Sequence, residues 1–292
     1  MIGVFLLAVA FLVVFWLLWL RRVVDGWHTI NVNGLQRRYL LRSSDRRARR
    51  RPVLICFHGG GGRIEWLARR TGITQSAQRQ GWIVVFPEAK DRWIDARPEC
   101  GGSARDLDFV DALLDSLVNS NRVDPFRVFA FGVSNGGLLV FRLGCERPSR
   151  FAGLATAFAN MPVVALSVGS GPPVPIAVMF GRRDRVMPFE GGRIMRRPGL
   201  GVGGEVVSAQ ETVRFWLRRN RAEGTAQLRC LASAGHSVDV EDYSAGPGGA
   251  PVKYLVINDC GHGWPRRRLT VSGSSDTFNP VDLVIEFFSG LC

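Results

Sequence analysis

The run Arg127-Val128-Phe129-Ala130-Phe131 leads without a break into Gly132-Val133-Ser134-Asn135-Gly136, and the stretch that follows to Glu146 reads as a helix. Apolar strand, short glycine-flanked turn, helix: this sequence leaves few options for the chain. The strand must be buried, and the helix must fold back over the sheet it has just left. A serine at the apex of so sharp a turn has its hydroxyl lifted clear of the sheet. The glycines two residues to either side let backbone and helix pass close to it.

The same alternation runs through most of the chain. Strands are expected at 53–57, 82–86, 127–132, 153–158, 176–181 and 252–257. Helices are expected near 66–80, 104–119, 135–146, 206–219 and 281–288. Leu107, Val110, Leu114 and Leu117 recur as one helical face. The pattern predicts an α/β fold, a mostly parallel sheet with helices on both faces. Before it, 27–32 and 37–41 alternate around Asn33-Gly34, a β-hairpin signal. A chain of 292 residues suits one large α/β domain, 25–292, behind a short element at 1–24.

That short element is apolar. Residues 2–20 carry no charge and no polar side chain. As a helix they would reach about 28 Å, close to the thickness of the hydrocarbon layer. Trp16 and Trp19 suit an interfacial aromatic belt. No basic segment precedes the run, and Ala8-Val9-Ala10 falls too early for a cleavage site. The expectation is an uncleaved transmembrane helix that anchors the chain to a membrane. Its orientation is contested, because Arg21 and Arg22 follow it and positive charge favours the cytoplasmic side.

Net charge is +13, most of it arginine. The densest run is Arg37, Arg38, Arg42, Arg46, Arg47, Arg49, Arg50 and Arg51. It reads as a solvated hairpin surface or as attraction to anionic headgroups near an anchor. No nucleic-acid-binding motif accompanies it, so no nucleic-acid partner is expected. The six cysteines permit disulfides, Cys230 with Cys260 among them, without requiring any. No C-x-x-C pair occurs, and neither a metal nor an organic cofactor is expected.

The chemistry that Ser134 invites has three requirements. A serine hydroxyl is a weak nucleophile and needs an adjacent base. The base needs a carboxylate to fix its tautomer. The developing oxyanion needs N–H donors that side chains do not screen. The strand at 53–57 ends in His58-Gly59-Gly60-Gly61-Gly62, a glycine run that suits the last requirement. Asn135, directly after the serine, supplies one N–H, and Gly59 or Gly60 supplies the other. Asp184 follows the strand at 176–181, and His262 follows the strand at 252–257. The order Ser134, Asp184, His262 is that of the α/β-hydrolase triad. His262 is the best base by position: His28 lies near the membrane-proximal end, His58 belongs to the glycine loop, and His236, the rival base, has no strand ending just before it, while Asp239, Asp242 and Asp259 are alternative acids to Asp184. Trp93, Phe189 and Trp264 are candidate walls for a substrate, with plain core packing as the competing reading.

Further segments carry a family resemblance. They include Gly81-Trp82-Ile83-Val84-Val85-Phe86-Pro87, Asp106-Leu107-Asp108-Phe109-Val110 and Val123-Asp124-Pro125-Phe126-Arg127-Val128. Arg150-Phe151-Ala152-Gly153, Gly181-Arg182-Arg183-Asp184-Arg185-Val186-Met187-Pro188-Phe189 and Gly261-His262-Gly263-Trp264-Pro265 continue the series. Over roughly 50 to 290 the chain resembles the α/β-hydrolase esterases grouped with poly(3-hydroxybutyrate) depolymerases and feruloyl or acetylxylan esterases. The resemblance implies a carboxylic-ester substrate, often a polymer or its fragments, with Ser134 as nucleophile, Asp184 as acid and His262 as base. It also argues for an extracytoplasmic domain. A peptidase or thioesterase of the same fold, or a silent anchored binding protein, are the alternatives. The arginines around Asp184 and after Pro265 depart from the family's pattern and bear on the substrate more than on the reaction.

Overall fold

A strand with apolar side chains on both faces has to lie inside a sheet that is covered on both sides. In the computed structural model, β3 (Arg51–Phe57) is buried at every position. The structure describes residues 25–44, 50–101, 103–120, 122–167, 171–195, 203–222, 224–233, 236–265, 269–270 and 277–291.

The hairpin comes first. β1 (Gly26–Val32) and β2 (Leu35–Arg42) pair antiparallel across Asn33 and Gly34, both at positive φ (50° and 80°), as a two-residue hairpin turn demands. From β3 the chain passes through α1 (Ile64–Thr71) and α2 (Ile73–Arg79) to β4 (Ile83–Pro87). It then crosses by α3 (Arg105–Asn119) to β5 (Val123–Val133), on the other side of β3. α4 (Asn135–Glu146) leads to β6 (Gly153–Ala157), which is followed by β7 (Ile176–Gly181). Two-residue strands β8 (Gly192–Arg193) and β9 (Glu205–Val206) pair outside the sheet, before α5 (Ala209–Asn220). β10 (Gln227–Ser233), β11 (His236–Tyr243) and β12 (Val252–Ile257) return to it. β13 (Leu269–Thr270), β14 (Thr277–Phe278) and α6 (Pro280–Ser289) end the chain.

The main sheet has ten strands in the order β1-β2-β4-β3-β5-β6-β7-β12-β11-β10. β4, β3, β5, β6, β7 and β12 run parallel, and antiparallel pairs close both edges. Side chains alternate between two cores, as strand geometry requires. Val53, Ile55 and Phe57 join the core under α3, α4 and α5, while Leu54 and Cys56 join the core under α1, α2 and α6. The chain reverses its direction of winding between β3 and β5, the kind of crevice in which open α/β sheets bind ligands.

The structure adds to the sequence pattern at three places. The helix near 66–80 is two helices, because Gly72 takes the left-handed conformation (φ 67°) and ends α1. The β10–β11 hairpin was not predicted, and it adds an antiparallel edge beside β12. Cys230 and Cys260 are both free thiols: Cys230 lies exposed on β10, Cys260 is buried after β12, and β11 runs between those strands. The anchor expected at 2–20 lies outside the described residues. Among the described residues, no helix is long and apolar enough to cross a membrane.

Candidate active site

Ser134 sits between β5 and α4 with φ 55° and ψ −120°, a conformation that L-residues rarely hold. Its N–H donates to the Ala157 carbonyl of β6 (2.8 Å), and its own carbonyl accepts from Leu138 N–H (3.0 Å). The strained residue is therefore fixed by the sheet on one side and the helix on the other. The turn closes so tightly that a Cβ on Gly132 would lie 2.2 Å from the Gly136 carbonyl oxygen, and one on Gly136 would lie 2.3 Å from that of Phe57. Only hydrogen fits at either place.

Asp184 and His262 reach the same point from β7 and β12, neighbouring parallel strands. His262 Nδ1 lies 2.7 Å from Asp184 Oδ2, and His262 Nε2 lies 2.9 Å from Ser134 Oγ. With a carboxylate on one side and a hydroxyl on the other, the consistent tautomer has Nδ1–H donating to Asp184 and Nε2 accepting from the serine. The other carboxylate oxygen, Asp184 Oδ1, accepts from Val186 N–H and Met187 N–H, both at 2.8 Å. Asp184 is sealed at 2% exposure, while His262 keeps 17%. This gradient shields the carboxylate and leaves the imidazole open to a ligand.

The glycine run lies against Ser134. A Cβ on Gly59 would be 3.4 Å from Ser134 Cβ. Gly61 N–H donates to the Asp91 carbonyl (3.3 Å) and Gly62 N–H to the Gly59 carbonyl (2.9 Å). Within the glycine run, the N–H groups of Gly59 and Gly60 are thus the two not taken by another backbone carbonyl. Asn135 opens α4, so its backbone N–H has no acceptor within the helix. Both arms expected to hold an oxyanion flank the serine.

His58 shapes that loop. Its Nε2 accepts from Ala89 N–H (3.1 Å), so Nδ1 carries the proton and donates to the Gly59 carbonyl (2.8 Å). That bond and the one from Gly62 N–H both fix the Gly59 carbonyl, and with it the Gly59–Gly60 peptide. Burial lowers the His58 pKa from its ordinary 6.5, against the Gly59 bond and the nearby Glu88 and Asp106, which raise it. The unfolded chain protonates this residue at a higher pH than the native one, so its contribution is complete above 6.5 and declines as pH falls through the native value. Urea unfolding should show stability dropping as pH falls below the ordinary histidine value of 6.5. His58→Gln should flatten that part of the curve; an unchanged slope would contradict the assignment.

The three aromatic walls need correction. Trp93 is fully buried and has no surface to offer a ligand. Its indole N–H donates to the His58 carbonyl (2.9 Å). Trp264 packs edge-on against Phe131 and Phe158 and donates to Asn279 Oδ1 (3.0 Å), which pins the His262 loop to the start of α6. Phe189 is wedged between Phe180 and the Arg182 guanidinium. Each is packing or scaffold, because its apolar face is already covered. The alternative acids are also engaged elsewhere: Asp239 pairs with Arg182, Asp259 with Arg183, and Asp242 with Arg229 and Lys253. Arg266, Arg267 and Arg268 lie outside the described residues. His236 opens β11 directly after the end of β10, a strand the sequence pattern did not suggest.

Two residues escaped sequence reasoning. Asp95 and Arg97 form a buried ion pair (2.8 Å) beside Asn135. The one signal was two opposite charges two residues apart in an otherwise unstructured stretch. Arg97 also lines a cleft of about 460 Å³ with Pro98, Val163, Val164 and Ile194. Among the described residues no cluster of acids, histidines and cysteines could hold a metal ion.

Comparison with known proteins places the chain among esterases. The protein named "Putative esterase NocK" from Nocardia uniformis subsp. tsuyamanensis is 29% identical over 259 residues, 82% of this chain and 74% of its own. "Probable feruloyl esterase C" of Aspergillus niger is 25% identical over 178 residues, 58% of this chain and 62% of its own, so the chain spans less than two thirds of that relative. An acetyl xylan esterase from Aspergillus awamori superposes over 92% of this chain and 100% of its own with a TM-score of 0.61. At 12% identity that likeness establishes the α/β-hydrolase-like fold alone. The family model described as esterase PHB depolymerase matches residues 39–187, just over half of the chain, including Ser134 and Asp184. The chain belongs to the esterase PHB depolymerase family and is a carboxylic ester hydrolase.

Proposed function

We propose that the protein cleaves carboxylic esters through an acyl-enzyme formed on Ser134. The observation that carries this reading is the unbroken hydrogen-bonded line from Asp184 through His262 to Ser134, at 2.7 and 2.9 Å. Ser134 Oγ attacks the ester carbonyl as His262 Nε2 takes its proton. The N–H groups of Asn135 and of Gly59 or Gly60 hold the oxyanion. His262 returns the proton to the departing alcohol, then activates water to release the acid. Asp184 holds the imidazole tautomer throughout and stabilises the cation that forms. No metal or organic cofactor takes part.

The names of the feruloyl esterase relatives favour a carboxylic ester, of the feruloyl type, over a peptide or thioester. In this reading residues 1–24 are a membrane anchor and 25–292 the catalytic domain, held outside the cytoplasm. Anchoring through residues 2–20 predicts that a chain lacking 1–24 leaves the membrane fraction. The chemistry is tested with a fluorophosphonate probe and a panel of matched esters, thioesters and amides. Labelling together with a preference for esters is expected. An unlabelled chain, or one that cleaves amides fastest, would refute the proposal.

A further inference from the structure

Asn135 faces two ways. Its backbone N–H opens α4 beside Ser134, while its side chain reaches the buried loop at 93–97. Asn135 Oδ1 accepts from Trp93 N–H (2.8 Å), and Nδ2 donates to the Trp93 carbonyl (3.1 Å) and to Asp95 Oδ2 (2.8 Å). The Trp93 indole holds the carbonyl of His58, the residue before Gly59. One loop therefore bridges the two arms that flank the serine.

A buried irregular loop has to satisfy its polar groups from side chains. Ile94 N–H donates to Asp106 Oδ2 of α3 (2.7 Å), and Arg142 of α4 donates to the carbonyls of Ile94 (3.2 Å) and Asp95 (3.5 Å). The Asp95 carboxylate is completely buried. It accepts from the Arg97 N–H (2.9 Å), from Arg97 Nε (2.8 Å) and Nη2 (2.8 Å), and from Asn135. Arg97 is buried in turn and also donates to the Gly203 carbonyl.

The charges explain why both members are present. A lone carboxylate beside a developing oxyanion would oppose the negative charge. A two-point pairing with Arg97 cancels that field while leaving one oxygen lone pair for Asn135. We propose that Asp95, neutralised by Arg97, is a positioning residue for the oxyanion centre: it fixes the Asn135 side chain and thereby the direction of the Asn135 N–H at Ser134. The proposal rests on Ser134 being the nucleophile.

The test uses the full-length chain and p-nitrophenyl butyrate, with active sites counted by fluorophosphonate labelling. Removing both buried charges at once, Asp95→Ala with Arg97→Met, avoids leaving either unpaired. It should lower kcat on the order of 10- to 100-fold while KM moves by less than about three-fold. Asp95→Glu keeps the charge pair, moves the carboxyl by one methylene, and should show the same split at a thermal midpoint near that of the wild type. Asn135→Ala, which retains the backbone N–H, completes the cycle. Because the pair acts through Asn135, combining it with Asn135→Ala should cost no more than the worse of the two alone. Multiplying losses, a change in KM alone, or unchanged kcat in a variant that labels fully would overturn the proposal. A wild-type chain that fails to label would instead sink the reading of Ser134, whatever the cycle gives.

Discussion

Ser134→Ala is expected to lower kcat/KM for short p-nitrophenyl esters on the order of 10⁴-fold or more, with the thermal midpoint nearly unchanged. The size of the effect comes from the chemistry. Without the hydroxyl no acyl-enzyme can form, and the oxyanion donors are left to assist a poorly placed water. The stability follows from the local structure. The hydroxyl makes one bond, to His262, while the strained backbone of residue 134 is held by Ala157 and Leu138, which alanine does not disturb. Steady-state kinetics and a melting curve on one preparation check both halves. Turnover within about ten-fold of wild type would remove Ser134 from the reaction.

Asp184→Asn should produce a loss of similar size by another route. The carboxylate gives one oxygen to His262 and the other to Val186 and Met187 N–H. In an asparagine the carbonyl oxygen would keep the two backbone donors, and the amide NH₂ would face His262. That arrangement asks Nδ1 to accept, which moves the imidazole proton to Nε2 and blocks acceptance from the serine. A fall in kcat on the order of 10⁴-fold is expected, with KM changed far less. Asp239→Asn and Asp259→Asn serve as controls, because those carboxylates pair with Arg182 and Arg183. A loss as large in either control would contradict the assignment of the acid.

How much of this was legible in the sequence depended on whether the signal was local. The turn at Ser134 was, because strand, glycines and helix are contiguous, and the helix spans 135–146 as expected. The strands at 176–181 and 252–257 also match: both are buried and mainly apolar, Lys253 being the one charged residue, and glycine or polar residues mark their ends. The break at Gly72 was missed because one glycine within an amphipathic stretch reads as a tolerated interruption. β10 and β11 were missed because an edge hairpin carries charged residues and only a short alternation. The aromatic walls failed for a different reason. Composition says that Trp93 and Trp264 are large and apolar, but only tertiary packing says which side of the cleft they occupy. Asp95 and Arg97 pair through a fold in a coil segment, and no periodicity announces a contact of that kind.

The central claim is that an ester's acyl group is carried on the Ser134 oxygen during turnover. Acid quenching within the first turnovers of p-nitrophenyl acetate, followed by peptide mass mapping, reads this directly. An acetyl group on the peptide containing Ser134, absent from Ser134→Ala, is the predicted result. Full hydrolysis with no acylated peptide at any quench time, or an acyl group on another residue, would contradict it.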